Sequence, residues 1–301
     1  MKFEDVTNAI GYAWKRKVTE PRRLRNWQSR TRPFIYTTPY GQRFLLYPDQ
    51  SIDKCIYLDG AYELRFLQVI ERFFRGKPDA VMLDIGANIG NHAVYLSRSF
   101  GRIICFEPSP YIAERLEKNI TLNGLTNVDV HIVGLSNREA TLHYKLDISG
   151  NLGASHFLSE ANEQTIELPV CRGDDYLLRN GVNKVDFIKV DVEHHELEVF
   201  EGLKHTVSHC RPIIAFEFHG TSLGSSYLDA IADALPDYIF SEATFAPSSA
   251  SSLEKLLWQV RHRNLPEFER IVVPEARFYE NVIAFPDERT FQEFAASNKV
   301  K

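Results

Sequence analysis

The chain has 301 residues, a formal net charge of −5 and 44% hydrophobic residues, which is an ordinary globular composition. Its length suits one large α/β domain or two small ones. The charge argues against a surface that binds nucleic acid throughout, and no apolar stretch approaches the roughly eighteen residues of a membrane span.

The cysteines and the first residues of the chain indicate the cellular compartment in which the protein is expected. Cys55, Cys105, Cys171 and Cys210 are widely spaced and form no C-x-x-C pair, which favours buried thiols over disulfides or a zinc site. No signal-peptide segment opens the chain. We therefore expect a cytoplasmic protein.

The N-terminal region is basic. Residues 15–32 carry eight basic side chains against the single acid Glu20. Such a run is most often a solvated arm, and the functional alternatives are contact with an anionic membrane, an acidic acceptor or a subunit interface. Short strands are predicted within 34–58, so we divide the chain into an N-terminal region, 1–50, and a main domain, 51–301.

The main domain alternates between helices and strands. Apolar spacing predicts a helix from Glu63 to Phe74. Strands are then predicted at 81–86, 102–107, 128–135, 185–191 and 211–218, and helices at 89–99, 110–122 and 195–206. This alternation implies right-handed crossovers and an α/β fold with a parallel sheet covered on both faces.

Three segments depart from that rhythm. Alternating apolar residues and a turn-rich stretch at 149–153 suggest an inserted hairpin within 138–171. Residues 221–277 read as irregular and include a Ser-rich stretch at 248–252 and an amphipathic stretch at 253–260. A short strand, Asn281 to Phe285, precedes a C-terminal helix.

Two adjacent strand ends carry an acid beside a sharp turn. The first strand contains Asp84 and breaks at Gly86 and Gly90, glycines that we expect where a ligand meets bare backbone. The next strand ends in Glu107 and Pro108. Because ligands of open α/β sheets bind at the carboxyl ends of the strands, and a carboxylate at the second strand accepts hydrogen bonds from a ribose, the pattern predicts a nucleoside-cofactor site.

The glycine spacing distinguishes between cofactors. G-x-G-x-x-G is missing, and an acid stands before the glycines, where a pyrophosphate gains nothing from it. A ligand with an ammonium group does gain, and S-adenosylmethionine (SAM) carries both an ammonium and a ribose. A nicotinamide-dependent oxidoreductase is the rival interpretation, and a tight turn with solvated acids is the purely structural one.

A second group of polar residues follows the later strands. The strand at 185–191 ends in Asp191, with His195 near the start of the next helix, and the strand at 211–218 leads into His219. Methyl transfer to oxygen needs an acceptor hydroxyl in line with the donor and a base for its proton. Asp191, His195 and His219 can each supply that base.

These residues also have simpler interpretations. Asp191 can cap the following helix. His194 and His195 are adjacent on a helix, so they cannot both face the site, and one is expected in solvent. Carboxylates and imidazoles can hold a divalent metal, but acids on one sheet edge are common without one, so we expect no metal.

Taken together, the motifs resemble the FkbM family of SAM-dependent methyltransferases. The similar stretch covers roughly residues 60 to 218, and the residues that carry it are Gly60 to Glu63, Asp84 to His92, Phe106 to Pro108, Asn119, Leu122 and Asn123, Gly134 to Ser136, Ile188 to Glu193, and Glu196. The sequence departs from the family pattern at His194 and His195, since a Gly commonly follows the acid that corresponds to Glu193.

The resemblance implies a class I methyltransferase fold, with a seven-stranded, mostly parallel sheet whose last strand is antiparallel, and O-methylation, often of a sugar or polyketide hydroxyl. The implied cofactor-binding residues fall into three groups: Asp84, Gly86, Ala87, Asn88 and Gly90 at the methionine part, Glu107 and Pro108 at the ribose, and Gly134 and Leu135 beside adenine. Glu63 is implied to approach the cofactor.

We therefore predict a SAM-dependent O-methyltransferase that acts on a small-molecule or carbohydrate acceptor, with acceptor-side segments near 144–160 and 221–277. A nucleic-acid methyltransferase is an alternative, but no Asn-Pro-Pro-Tyr-type motif and no Pro-Cys nucleophile pair is present. A SAM-binding protein without catalysis is the other, and it would need none of Asp191, His195 and His219.

Overall fold

The computed structural model describes residues 20–145, 155–158, 165–219, 225–244, 266–271 and 278–299. The first elements are helix α1 (Glu20–Gln28), strands β1 (Phe34–Thr37) and β2 (Arg43–Leu46), helices α2 (Ser51–Asp59) and α3 (Leu64–Phe74), strand β3 (Val81–Ile85), helix α4 (Asn91–Leu96), strand β4 (Arg102–Phe106), helix α5 (Pro110–Leu122) and strand β5 (Val128–His131).

The remaining elements follow in chain order. They are strands β6 (Gly134–Ser136), β7 (Ala140–Lys145), β8 (His156–Leu158) and β9 (Thr165–Arg172), helix α6 (Gly173–Arg179), strand β10 (Phe187–Val190), helices α7 (Glu196–Gly202) and α8 (Lys204–Cys210), strand β11 (Ile213–His219), helix α9 (Ser225–Ala234), strands β12 (Ile239–Thr244), β13 (Glu267–Arg270) and β14 (Phe278–Phe285), and helix α10 (Glu288–Ser297).

The central sheet has the order β13-β12-β14-β11-β10-β3-β4-β5. Strands β5, β4, β3, β10 and β11 are parallel neighbours, and β14 lies antiparallel between β11 and β12. The predicted α/β fold with a mostly parallel sheet and an antiparallel last strand is confirmed. The described sheet has eight strands instead of the predicted seven because β13 adds an antiparallel edge beside β12.

Strands β3 and β10 lie at the centre of the sheet, and alternate side chains face opposite layers of the core. Leu83 and Ile188 join one buried cluster, whereas Met82 and Phe187 join the other. Because side chains alternate along a strand, Asp84 and Lys189 point toward the same layer as Met82 and Phe187. A carboxylate and an ammonium are thereby directed into an otherwise apolar layer.

A second sheet, ordered β6-β9-β7-β8, contains the inserted segment. The predicted strand 128–135 is wrong as one element, because Val133 N–H donates to the His131 carbonyl at 3.0 Å and this tight turn redirects the chain. Residues 134–136 consequently pair with β9. The predicted hairpin is a three-stranded unit in which β7 pairs with both β8 and β9.

Three further predictions need correction. The segment 34–58 contains helix α2 as well as two strands, and the predicted helix 195–206 is two helices that meet at Leu203. Residues 221–277 are not irregular throughout, since they contain α9, β12 and β13. The stretches 248–252 and 253–260 lie outside the described residues.

The N-terminal elements pack against the main domain. A third buried cluster joins Trp27 and Phe44 to Ile56 on α2 and to Ile89 and Ile112. Arg23 donates to the Leu58 carbonyl at 2.6 Å and to the Tyr57 carbonyl, so a basic residue of the predicted arm binds the end of α2. None of the helices within the described ranges has the length and apolar composition that crossing a bilayer requires.

Candidate active site

Two cavities open at the carboxyl ends of the parallel strands. The larger has a volume of about 180 Å³ and the smaller of about 40 Å³. Gly86, Asn88 and Asp191 line both. The other residues of the larger cavity are Ser51, Ile52, Cys55, Tyr62, Ala87, Ile89, Asn91, His92, Glu193 and Glu217. Those of the smaller are Ile85, Phe106, Glu107, Pro108, Ile112, Gly134, Leu135, Tyr144, Ser155, Phe157 and Val192.

The turn after β3 has three left-handed residues, Gly86 (φ 80°), Asn88 (φ 50°) and Gly90 (φ 84°). A Cβ on Gly86 would lie 1.8 Å from the Asp191 carbonyl oxygen, and one on Gly90 would lie 2.5 Å from Leu116 Cδ1. The glycines are therefore required by the protein's own packing. The prediction that backbone is left bare for a ligand at these two positions stays a prediction, and Gly86 does line both cavities.

Glu107 ties the two strand ends together. Its Oε2 accepts the Asn88 N–H at 3.1 Å, and its Oε1 accepts the Ser109 N–H at 2.9 Å. Burial raises the pKa of Glu107 to about 7, although both N–H groups act to lower it. The carboxyl lines the smaller cavity beside Pro108, so the structure provides an acid that titrates near neutrality at the position where sequence reasoning put the ribose.

The opposite side of the smaller cavity comes from the inserted sheet. Gly134 and Leu135 on β6 line it together with Tyr144 and Phe157, whose rings are 5.2 Å apart. The described part of the predicted acceptor-side segment 144–160 thus lies next to Glu107, at the nucleoside end of the predicted site.

Two buried oxygens near the turn have no hydrogen-bond partner among the described residues, Asp84 Oδ2 and Asn88 Oδ1. Asp84 lines neither cavity, accepts a hydrogen bond from the Ala93 N–H, and has its pKa raised by burial. Asn88 lines both cavities. The unpartnered acceptor of Asn88 therefore favours a ligand that brings N–H or O–H donors, and the ammonium and ribose of SAM fit that requirement.

Glu63 belongs to a buried network behind the larger cavity. Its Oε2 accepts from His92 Nε2 at 2.9 Å and its Oε1 accepts from Asn281 Nδ2 at 2.6 Å. Burial opposes its ionisation, but Lys189, His92 and Asn281 together lower the pKa of Glu63 to about 2. Glu63 was predicted to approach the cofactor, yet it lines neither cavity and instead holds His92, which lines the larger one.

One wall of the larger cavity was missed by sequence reasoning. Ser51, Ile52 and Cys55 come from α2, which was not predicted as a helix. Tyr62 follows, and Asn91 fixes it through two hydrogen bonds: Asn91 Oδ1 accepts the Tyr62 N–H at 2.9 Å and Nδ2 donates to its carbonyl at 3.0 Å. In the sequence, the signal that pointed to this wall was that Tyr62 directly precedes Glu63, a predicted cofactor-binding residue.

Three carboxylates enter the larger cavity from the later strands: Asp191, Glu193 and Glu217. Burial and the neighbouring Glu217 raise the pKa of Asp191 well above its usual range, and Lys189 opposes that rise. Within the described ranges, no cluster of three or more His, Cys, Asp or Glu side chains has an arrangement that could hold a metal ion.

The three histidines that follow β10 or end β11 differ in position. His195 Nε2 lies 3.0 Å from Ser136 Oγ and its Nδ1 lies 3.6 Å from Glu198 Oε2, so both ring nitrogens face protein atoms, and His195 lines neither cavity. Burial lowers its pKa. His194 is exposed, which confirms the expectation that one of the pair is in solvent. His219 ends β11, where its backbone pairs with Phe278.

The departure from the family pattern has a structural counterpart. Glu193 and His194 are consecutive left-handed residues, with φ angles of 50° and 77°. A glycine adopts this conformation without strain, which agrees with the glycine that the resemblance implies at the position of His194. Tyr227 on α9 braces the turn, because its hydroxyl accepts the Leu197 N–H at 3.1 Å.

The chain is similar in sequence to known methyltransferases. Residues 84–245 match the methyltransferase FkbM domain. The hexuronic acid methyltransferase AglP of Haloferax volcanii is 28% identical over 204 residues, which cover 65% of this chain and 81% of that protein. The 2-O-methyltransferase NoeI of Sinorhizobium fredii is 30% identical over 181 residues, which cover 54% of this chain and 73% of that protein.

Among solved structures, the methyltransferase FkbM of Methylobacillus flagellatus is 17% identical with a TM-score of 0.42, over 69% of this chain and 44% of that one. An O-methyltransferase of Bacillus cereus in complex with S-adenosylhomocysteine (SAH) is 14% identical with a TM-score of 0.41, over 74% of this chain and 80% of that one. Likenesses of this degree add nothing to the sequence match. Because the FkbM domain covers more than half of the chain, this protein belongs to the FkbM methyltransferase family.

Proposed function

We propose that this protein transfers the methyl group of SAM to a hydroxyl of a carbohydrate or other small molecule. The observation that carries the proposal is the wall of Gly86, Asn88 and Asp191 shared by the two cavities. A donor with its nucleoside in the smaller cavity would meet at this wall an acceptor bound in the larger one. Bound SAM would supply an electrophilic methyl group on a sulfonium.

We assign the smaller cavity to the nucleoside. The ionised carboxyl of Glu107 accepts hydrogen bonds from a ribose, and Pro108, Gly134 and Leu135 surround the adjoining space. The turn from Gly86 to Gly90 binds the amino-acid part, with Ala87 and Asn88 at the cavity surface and Asp84 contributing negative charge from behind. Electrostatic attraction between these acids and the cationic donor supports binding.

We assign the far side of the larger cavity to the acceptor. Ser51 and Tyr62 offer hydroxyl groups there, and Asp191, Glu193 and Glu217 offer carboxylates, a set that suits hydrogen bonding to a polyol. The names of the two relatives describe one that acts on hexuronic acid and one that methylates at a 2-O position. These chemistries make sugar hydroxyls the first acceptors to test.

Asp191 is our first candidate for the group that orients the acceptor hydroxyl and accepts its proton, because it lines both cavities. His195 and His219 remain alternatives for the base. His195 would need to exchange its contact with Ser136 for the acceptor, whereas His219 follows Glu217 on β11.

The test begins with calorimetric titration of SAM and SAH into the full-length protein. We expect micromolar binding that Glu107→Ala weakens by about 1 to 3 kcal/mol, the usual cost of losing a charged hydrogen-bond partner. Glu117→Ala, an exposed position on α5, is the matched control and should bind as the wild type does. Absence of heat with SAM would exclude the proposal.

Transfer of a labelled methyl group to neutral sugars and to hexuronic-acid oligosaccharides then tests catalysis. Asp191→Asn, His195→Ala and His219→Ala are compared at saturating SAM. Removal of a general base lowers turnover by about 10²- to 10⁴-fold with little change in cofactor affinity, so the variant with that signature identifies the base. SAM binding without transfer to any acceptor favours a binding protein.

A further inference from the structure

Lys189 is a buried ammonium that the proposed mechanism has not used. It lies on the central strand β10, in register between Asp84 on β3 and Ala215 on β11, and it is only 1% exposed. Its Nζ makes no hydrogen bond to any described residue. Because an ammonium without hydrogen bonds is costly to bury, its position on this strand requires compensation by nearby charges.

Two carboxylates flank the ammonium at equal distance. Lys189 Nζ is 3.9 Å from Glu63 Oε2 and 3.9 Å from Asp191 Oδ2. Glu63 is held from behind by His92 and Asn281, so it cannot turn toward the cavity without breaking two short hydrogen bonds. It therefore anchors the ammonium from the interior, and the other side of the ammonium faces Asp191.

Lys189 acts as a fixed charge. Burial alone would lower its pKa, but four carboxylates, Glu63, Asp191, Glu217 and Asp84, together raise the pKa above its usual value. The carboxylates consequently favour the protonated form of Lys189, which argues against a role as a base. Its effect must pass through its neighbours.

Asp191 is the neighbour that depends on it. The acids that raise the pKa of Asp191 come from two elements and from its own loop, namely Glu217 on β11, Glu63 at the start of α3 and Glu193 in the loop. Against them, Lys189 is the cation that lowers the pKa of Asp191. Asp191 also lines both cavities, whereas Lys189 and Glu63 line neither.

We propose that Lys189 is a positioning residue for methyl transfer, which holds the Asp191 carboxyl at the wall shared by the two cavities and favours its ionised form there. The inference rests on the proposed function, since it gives Asp191 a task beside the donor and the acceptor. It assigns Glu63 the supporting task of fixing Lys189, in place of direct contact with the cofactor.

The test measures protons released when ligand binds, by calorimetry in two buffers of different ionisation enthalpy across a pH series. A neutral Asp191 must lose its proton to sit beside the sulfonium of SAM, but not beside the neutral sulfur of SAH. Glu107 responds to both ligands, because both carry the ribose. The difference in proton release between SAM and SAH therefore reports the acid at the sulfonium end.

We expect Lys189→Met to move the midpoint of that difference upward by about one to three pH units, the usual effect of a nearby cation on an Asp. Lys184→Met is the matched control, since this exposed lysine pairs with Asp186 at 3.2 Å outside the site and should leave the midpoint unchanged. A midpoint that stays at the wild-type value in Lys189→Met overturns the proposal.

Asp191→Asn keeps the experiment decisive if Lys189→Met does not fold. The difference in release must vanish in Asp191→Asn, and its persistence shows that another acid responds and overturns the proposal. Failure of the wild type to bind SAM removes the proposed function and this inference together. Normal wild-type binding with an unmoved midpoint in Lys189→Met removes the inference alone.

Discussion

The carbonyl oxygen of Asp191 occupies the space beside Gly86, 1.8 Å from the position that a Cβ on Gly86 would take. The Asp191 N–H also donates to the Ile85 carbonyl at 2.9 Å, so the ends of β3 and β10 are joined backbone to backbone. This contact places the Asp191 side chain at the same wall as the turn. A substitution at Gly86 therefore disturbs both the turn and the position of the Asp191 side chain.

Gly86→Ala should destabilise the protein by about 2 to 5 kcal/mol, because a left-handed alanine costs about 1 to 2 kcal/mol and displacing a packed carbonyl costs about 1 to 3 more. Gly76→Ala is the matched control, with a similar φ of 83° but no atom within 4 Å of the added Cβ. Urea denaturation of both variants measures the difference. Equal losses would show that the Asp191 carbonyl moves aside freely.

Glu107 predicts a pH dependence of stability. Its pKa is raised by burial to about 7 from 4.5, so the unfolded chain ionises first as pH rises. The contribution of Glu107 to the free energy of unfolding is complete below about pH 4.5. It falls by about 3 kcal/mol as pH rises to about 7. Glu107→Gln cannot ionise, so the gap between its unfolding free energy and that of the wild type should change by this amount between about pH 4 and about pH 8.

Ionisation of the same carboxyl should also make the affinity for the nucleoside ligand depend on pH. An ionised Glu107 accepts hydrogen bonds from ribose hydroxyls more strongly than a neutral one. Affinity for SAH, which lacks the sulfonium, should therefore increase as pH rises through about 7 in the wild type and stay level in Glu107→Gln. A parallel increase in the variant would assign the titration to a different acid.

His194→Gly should be more stable than His194→Ala by about 1 kcal/mol. Glycine takes the left-handed conformation at φ 77° without the steric cost that alanine meets, and its greater entropy in the unfolded chain offsets only part of this advantage. Thermal unfolding of the two variants measures this. Comparison with alanine, instead of histidine, removes any effect of the exposed ring. Equal stability would indicate that the turn relaxes to another conformation.

Arg23→Met should lower the free energy of unfolding by about 1 to 3 kcal/mol, since the guanidinium donates to the carbonyls of Tyr57 and Leu58 at the end of α2. The exposed Arg22 on the same helix provides the control, and Arg22→Met should be neutral. Because α2 supplies a wall of the larger cavity, we also expect Arg23→Met to weaken substrate binding there. At Arg23 the basic segment, residues 15–32, thus differs from the solvated arm that such a run most often indicates.

Periodicity predicted the strands of the main sheet well because β3, β4, β10 and β11 are buried on both faces and read as continuous apolar runs. Helix α5 was predicted with its observed bounds, since Ser109 and Pro110 mark its start. The helix α9 carried a usable signal too: Leu228, Ile231 and Leu235 are buried at helical spacing.

Other features depend on contacts that a single sequence does not display. The separation of β5 from β6 follows from a turn at His131 and Val133, and the break at Leu203 comes where Gly202 lies against the Ser136 carbonyl. The network of Glu63 with Asn281 joins residues 218 positions apart. Spacing arguments located the acids at the strand ends, but not which of them face the cavities and which face one another.

The shared wall of the two cavities has a consequence for engineering acceptor range. Under the proposed assignment of the cavities, substitutions at Gly86, Asn88 or Asp191 alter the donor and acceptor sides at once, so selection for a new acceptor at these positions would also affect cofactor binding. Ser51, Ile52 and Cys55 line only the larger cavity and lie on a helix separate from the strand-end turns. Under the same assignment, we expect libraries of variants in helix α2 to change acceptor choice with less effect on the donor side.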